Sequence, residues 1–382
     1  MSNGYPLPLV NPPTGGAAGS SEPSATCSTP TPRIRRLPPW LKRPLPTGEA
    51  LAQTRNLING LKLNTVCVEA RCPNLTECWS RHTATFMILG DKCTRRCRFC
   101  AVHTARPDPV DPDEPARLAE AAAHLGLRHV VITSVARDDL PDEGAGHFAA
   151  CIRAIRAAAA RQEPRPPAGS GPHGALPAQH GALASAVTVE VLVPDFHARR
   201  DCIQTVLDAA PEVFNHNVET IPRLHKAIRP QAKYPRSLET LRLAKDLARR
   251  SEPRPAGSNQ SEPRPSGSGQ PPYEPRVQAR GPSATTILTK SGLMVGLGET
   301  RAELLEVFRD LRSVGCDLLT IGQYLRPSAA DTRHAPVEKF YTPEEFKELA
   351  IAAKELGFAA VASGPFVRSS YFAETLYREP RP

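Results

Sequence analysis

Long apolar runs are missing from this chain. None approaches the roughly 20 residues that a membrane span needs, which excludes an integral helical membrane protein. The N-terminus has no charged start leading into an apolar stretch, so no secretory signal is expected. It also has no Arg before Arg33, which fits an amphipathic transit peptide poorly. Aromatic residues are scarce, at 5%, and no nucleic-acid signature accompanies the net charge of +9, so no nucleic-acid partner is expected. No Gly-x-Gly-x-x-Gly follows an apolar run, which weakens a dinucleotide-binding fold. No Ser/His/Asp triad or carboxylate pair stands out, so catalysis of those kinds has no support.

Proline, by contrast, is abundant. Well over half of the 41 prolines fall in segments 1–46, 163–182 and 251–282. Glu-Pro-Arg recurs from residues 163, 252, 262 and 274 with Gly and Ser between, the composition of a linker. Outside those segments the chain resembles an ordinary globular protein, and 40% hydrophobic residues suffice for a sizeable core. The expected organisation is a disordered, partly basic tail (1–46), an N-terminal extension (47–82), one domain over 83–375 interrupted at 163–186 and 251–284, and a C-terminal tail (376–382). Ten cysteines without a secretion signal argue for a reducing compartment. The expectation is cytoplasmic, or a mitochondrial or plastid matrix if the source is eukaryotic.

From residue 83 short apolar runs alternate with amphipathic stretches. The runs are 83–89, 129–133, 187–193, 213–217, 286–295 and 318–324, with a weaker one at 358–362. Helical periodicity marks 115–125, 145–160, 199–209, 236–250, 301–314 and 343–356. Alternating units of this kind imply a parallel sheet. Their number favours a complete or partial β/α barrel, a partial (β/α)6-type TIM barrel with extensions at both ends. Active sites of such barrels lie at the strand C-termini, and both Pro-rich insertions fall on the opposite, helix-to-strand side. A helix is expected over 50–64, and residues 65–80 read as an aperiodic loop.

Six cysteines lie in two triplets: Cys67, Cys72 and Cys78, then Cys93, Cys97 and Cys100. Thiolates bind soft or borderline metals. The second triplet follows the first apolar run, at the active rim of a barrel. A zinc site would normally take four protein ligands. A thioredoxin-like pair made of Cys97 and Cys100 leaves Cys93 without a role. An iron-sulfur cluster with one iron uncapped could bind a small molecule there, and Lys92, Arg95, Arg96 and Arg98 favour thiolates and an anionic cluster. A non-catalytic zinc or electron-transfer protein stays open on these residues alone.

The spacing Cys93-x3-Cys97-x2-Cys100, with Phe99 before the last Cys, resembles the radical S-adenosylmethionine superfamily. Cys67-x4-Cys72-x5-Cys78 together with Arg368-Ser369-Ser370-Tyr371 resembles the lipoyl synthase family within it. Further matches are Asn64-Thr65-Val66, Arg137-Asp138-Asp139-Leu140-Pro141, His216-Asn217-Val218-Glu219-Thr220, Lys290–Glu299 and Gly322-Gln323-Tyr324-Leu325. The chain departs from that pattern in its insertions, its long tail, Ala136, and Glu143 where Gly is usual.

The resemblance implies two [4Fe-4S] clusters and S-adenosylmethionine. Cys93, Cys97 and Cys100 would hold the radical-generating cluster. Cys67, Cys72, Cys78 and an oxygen of Ser370 would hold an auxiliary cluster whose sulfide becomes product sulfur. Thr133, Ser134, Asn217, Glu219 and Lys290 are candidate contacts to S-adenosylmethionine. Read without the resemblance, Ser370 is a turn residue and the strand-end groups are caps. A different sulfur-inserting or methylthio-transferring radical enzyme is the other enzymatic reading, and the first triplet with Ser370 speaks against it. Implied partners are octanoylated lipoyl-carrier domains (2-oxoacid dehydrogenase E2 or glycine cleavage H protein) and an electron donor such as ferredoxin or flavodoxin. Such carrier domains are commonly acidic, so the basic arm 33–43 is expected to steer them. Replacing Arg33, Arg35 and Arg36 by Glu should weaken carrier association measured at low salt; unchanged binding would remove the arm's role.

Overall fold

In the barrel region, each apolar run becomes a strand because its branched side chains are buried on both sheet faces. The computed structural model describes residues 36–42, 48–161, 187–250 and 287–378. Most of the tail 1–46, both Pro-rich insertions and residues 379–382 lie outside the described residues.

The N-terminal extension comprises α1 (Glu49–Gly60), β1 (Asn64–Thr65), α2 (Val66–Glu69) and α3 (Leu75–Ser80). It leads into β2 (Thr85–Ile88), after which β3 (Lys92–Cys93) and β4 (His103–Thr104) form a small parallel ribbon. The repeating part runs α4 (Glu114–His124), β5 (His129–Ser134), α5 (Ala145–Arg161), β6 (Thr188–Leu192), α6 (Arg200–Leu207) and β7 (Val213–Asn215). It continues with α7 (Pro222–Ile228), α8 (Tyr234–Arg250), β8 (Leu288–Val295), α9 (Arg301–Ser313), β9 (Leu318–Gln323), α10 (Pro343–Glu355), β10 (Ala360–Gly364) and α11 (Ala373–Arg378).

The main sheet has the order β1-β2-β5-β6-β7-β8-β9-β10. Every pairing from β2 to β10 is parallel, and β1 runs antiparallel to β2. Among the described residues β2 does not pair with β10, so the sheet curls into a partial barrel with an open seam. It has seven parallel strands, the weak run at 358–362 supplying the last.

The helices cover the outer face through single apolar stripes. In α9, Leu304, Val307, Phe308 and Leu311 are buried on one side. Thr300 and Glu303 cap α9 reciprocally, and Thr342 and Glu345 do the same for α10. At the opposite end of the chain, Leu376 of α11 packs with Val213, Leu288, Leu318 and Ala360, the first residues of four strands. The Tyr377 ring stacks on His129, at the start of β5, with centroids 5.9 Å apart. Helix α11 therefore plugs the N-terminal mouth of the barrel, and residues 376–378 belong to it rather than to a tail.

Residues 65–80 also differ from the loop expected there. Thr65 Oγ1 accepts the Val68 N–H and starts α2, and the buried Trp79 anchors α3 in the core. Both helices are too short to show a period, and α7 is too. No helix among the described residues is long and apolar enough to cross a membrane.

Candidate active site

Beyond β2 the chain turns at Leu89 and Gly90, both at positive φ (69° and 93°). The β3–β4 ribbon then clips the ends of the thiol loop together, pairing Lys92 with His103 and Cys93 with Thr104. Thr104 Oγ1 donates to the Arg95 carbonyl at 3.1 Å. Cys93 Sγ accepts backbone N–H groups from Arg95 (3.4 Å) and Ala136 (3.3 Å), which fix its position in the loop. Burial pushes Cys100 up to about 12, with the Val102 backbone opposing and the neighbouring thiols and Glu219 reinforcing. Cys97 is also pushed up by burial, opposed by Arg229 and Arg95.

The loop's own basic residues are deployed differently from the expected ring of charge. Lys92 pairs with Asp108 at the surface, and Arg98 Nε donates to the Arg333 carbonyl. Arg95 turns inward, where Asp138 (2.6 Å) and Asp195 (2.8 Å) clamp its guanidinium. Arg229, which the sequence did not single out, faces Cys97 while donating to the carbonyls of Asn217 and Val218.

The first triplet is spread over α2, the following turn and α3. Burial pushes Cys67 up to about 11 and Cys78 up to about 12. Each is pushed further by neighbouring thiols, so the three sulfurs lie near one another. The C-terminal Arg368–Tyr371 segment lies against this extension: Asn74 Nδ2 donates to the Phe366 carbonyl at 2.8 Å, and Tyr371 hydroxyl lies 3.1 Å from both Glu77 oxygens. Cys78 and Ser370 line one cavity of about 270 Å3, beside Thr85 and His129 at the start of β2 and β5.

A single zinc ion fits neither triplet. Tetrahedral Zn–S bonds of about 2.3 Å place sulfurs roughly 3.8 Å apart. Among the described residues the only three-ligand set within 4.8 Å is Asp138, Glu143 and His197; neither thiol triplet is that tight. Wider all-thiolate sets suit iron-sulfur clusters.

The expected S-adenosylmethionine contacts lie along the strand ends. Thr133 Oγ1 donates to the Leu192 carbonyl at 2.9 Å, whereas Ser134 Oγ is buried without a partner. Asn217 and Glu219 do face one another, Nδ2 to Oε1 at 3.1 Å, and Asn217 Nδ2 also donates to Ser369 Oγ at 2.6 Å. Asn217 Oδ1 is buried and unpartnered. Glu219 has a positive φ of 67°, and burial raises its carboxyl against the pull of Arg229. Buried polar atoms without partners are costly, so the orphaned atoms of Ser134 and Asn217 fit a polar ligand. Lys290 stands apart from this group. Its ammonium is buried and donates to both oxygens of Glu190 (2.8 and 3.0 Å) and to the Ser369 carbonyl (2.6 Å). Glu190 was detectable only as the lone acid inside an apolar run.

Known proteins match this sequence over most of its length. The family described as "Radical SAM superfamily" matches residues 87–251, and "N-terminal domain of lipoyl synthase of Radical_SAM family" matches residues 24–72. The lipoyl synthase of Rubrobacter xylanophilus is 48% identical over 336 residues, covering 88% of this chain and 85% of that protein. That of Caldanaerobacter subterraneus is 46% identical over 339 residues, covering 89% and 96%. That of Thermus thermophilus is 44% identical over 352 residues, covering 92% and 89%.

The chain belongs to the lipoyl synthase family. It is a radical S-adenosylmethionine enzyme of the sulfurtransferase kind, and its fold is the partial barrel of that superfamily. An iron-sulfur cluster and S-adenosylmethionine are its cofactors.

The raised thiols predict how the cluster-free enzyme reacts. With pKa values near 12, Cys78 and Cys100 are protonated at neutral pH, and their thiolate fraction grows about tenfold per pH unit. Alkylation of these two cysteines, followed by peptide mass mapping, should rise from pH 7 through pH 10 without levelling. A plateau near pH 9, as for an ordinary thiol with pKa about 8.5, would contradict the burial seen here.

Proposed function

We propose that this enzyme inserts two sulfur atoms, at C6 and C8 of an octanoyl chain amide-linked to a lysine of a lipoyl-carrier domain, to give the lipoyl group. The sulfur comes from an auxiliary [4Fe-4S] cluster held by Cys67, Cys72, Cys78 and Ser370, which is consumed as a substrate. The observation that carries this reading is the shared cavity of Cys78 and Ser370, on a chain whose second thiol triplet follows the first parallel strand.

The C6 and C8 hydrogens of an alkyl chain are unactivated, and no side-chain base removes them near neutral pH. Cys93, Cys97 and Cys100 would hold a [4Fe-4S] cluster, which with S-adenosylmethionine would supply the radical chemistry needed to take such a hydrogen as an atom.

The protein's own residues orient and enclose. Ser134 and Asn217 offer buried polar atoms, and Glu219 a half-buried carboxyl, to the amine and ribose of S-adenosylmethionine. The oxygen of Ser370, harder than thiolate, would hold the auxiliary cluster as its most readily displaced protein ligand. The carrier domain belongs to a 2-oxoacid dehydrogenase E2 or a glycine cleavage H protein, and electrons come from a donor such as ferredoxin or flavodoxin.

Anaerobic turnover with an octanoyl-lysyl peptide, S-adenosylmethionine and a reductant tests this. The peptide mass should rise stepwise by two sulfurs while 5′-deoxyadenosine forms. Cys67→Ala should abolish sulfur gain by at least a hundredfold while S-adenosylmethionine cleavage continues. Undiminished sulfur gain in that variant would remove the donor role, and 5′-deoxyadenosine without any sulfur gain in the wild type would remove the substrate.

A further inference from the structure

We propose that Lys290 is a positioning residue for Ser370: it grips the Ser369 carbonyl from inside the barrel and so sets the direction of the serine oxygen. The inference rests on the reading of Ser370 as an auxiliary-cluster ligand.

The geometry begins with an ion pair that the fold does not need for packing. Lys290 on β8 and Glu190 on β6 are both fully buried, 2.8 Å apart at the closest. Replacing such a pair by apolar side chains of similar volume is often neutral or stabilising, so filling the barrel does not explain it. The carboxylate is held on several sides. Asn215 Nδ2 of β7 donates to Glu190 Oε1 at 3.1 Å, and His129 Nε2 of β5 lies 3.7 Å from Oε2. Strands β6, β7 and β8 thus fix the position of one ammonium, with the β5 imidazole packed beside the carboxylate. An ammonium has three hydrogens. Two are taken by the Glu190 oxygens, and the third points at the Ser369 carbonyl, 2.6 Å away.

That carbonyl shares a planar peptide unit with the nitrogen and Cα of Ser370. Fixing its oxygen fixes the plane from which the Ser370 side chain leaves. Asn217 Nδ2 holds the preceding residue as well, donating to the Ser369 hydroxyl at 2.6 Å.

The segment's path is shaped to reach this grip. A Cβ at Gly322 of β9 would collide with the Val367 carbonyl, and one at Gly292 of β8 would collide with Thr320 Oγ1 and Asn217 Oδ1 and crowd Ser369 Oγ. Two glycines therefore open the lane along which residues 367–369 cross the barrel. On the far side Tyr371 meets Glu77, one residue before Cys78. Ser370 is stretched between an anchor in the barrel and one in the N-terminal extension.

Two variants of the full chain test the grip, Lys290→Met and Glu190→Gln/Lys290→Met. The first leaves a carboxyl buried without its partner and lowers the unfolding midpoint; the second removes that burden and recovers the midpoint. In the cluster-free protein, amide hydrogen exchange over residues 367–371 should be at least tenfold faster in both. After anaerobic reconstitution, both should lose the Mössbauer signature of an oxygen-ligated iron.

If the pair serves stability alone, the double variant restores exchange protection together with the midpoint, and the proposal falls. Unchanged exchange in Lys290→Met overturns it as well; if that variant does not fold, the double variant carries the same decision. Ser370→Ala separates the two readings. A signature that survives this change removes Ser370 as a ligand, while the exchange data still decide whether Lys290 holds the segment.

Discussion

A parallel sheet that does not close leaves strand edges whose N–H and C=O groups must be satisfied. Here β1 pairs antiparallel with β2, Asn64 with Met87 and Thr65 with Phe86, and covers one edge. Only two residues long, β1 is followed at once by the helix that carries Cys67. The pairing that caps the sheet therefore also delivers the first thiol triplet to the seam. Beyond the last strand, β10, the C-terminal segment returns across the barrel, so Ser370 reaches the same cavity as Cys78. The open seam is what allows two distant parts of the chain to meet beside one barrel.

The interior of that barrel is more polar than its apolar strands suggest. Glu190, Asn215 and Lys290 project from three neighbouring strands into one hydrogen-bonded group, with the His129 ring of β5 beside it at 3.7 Å. Nearer the C-terminal rim, Arg95 is clamped by Asp138 and Asp195, with Arg236 on the second oxygen of Asp195. Buried charges hold position only when their partners are fixed. Both groups meet that condition, one beneath the serine segment and the other beneath the Cys93–Cys100 loop. Cys78 and Cys100 stay protonated by burial until a metal displaces their protons, so cluster assembly is coupled to proton release.

Much of this was legible in the residues. The run at 187–193 encloses β6, and the weak run at 358–362 overlaps β10, because branched apolar residues between polar breaks have few other uses. Helical periodicity located α9 and α10 to within a residue or two. The thiol spacings were visible as two tight triplets, whereas Ser370 stood out only through the family resemblance. What escaped was short or non-local. Helices α2, α3 and α7 span under two turns each, too little for a period to show. The partnership of Lys290 with Glu190 and Ser369 joins residues far apart in sequence, and no local pattern encodes it. Charge in the Cys93–Cys100 loop was misplaced for the same reason: Arg229 reaches Cys97 through the fold, whereas Lys92 beside Cys93 turns to Asp108.

The central claim is that one set of ligands, three thiols from the extension and one oxygen from the C-terminal segment, is assembled across the seam. Mössbauer spectroscopy of a Cys93→Ala/Cys97→Ala/Cys100→Ala variant, loaded with isotopically enriched iron, tests it most directly. The account predicts one [4Fe-4S] cluster in which a single iron differs from the other three, and loss of that difference when Ser370 is changed to Cys. Four equivalent irons in the variant that retains Ser370, or no cluster at all, would contradict it.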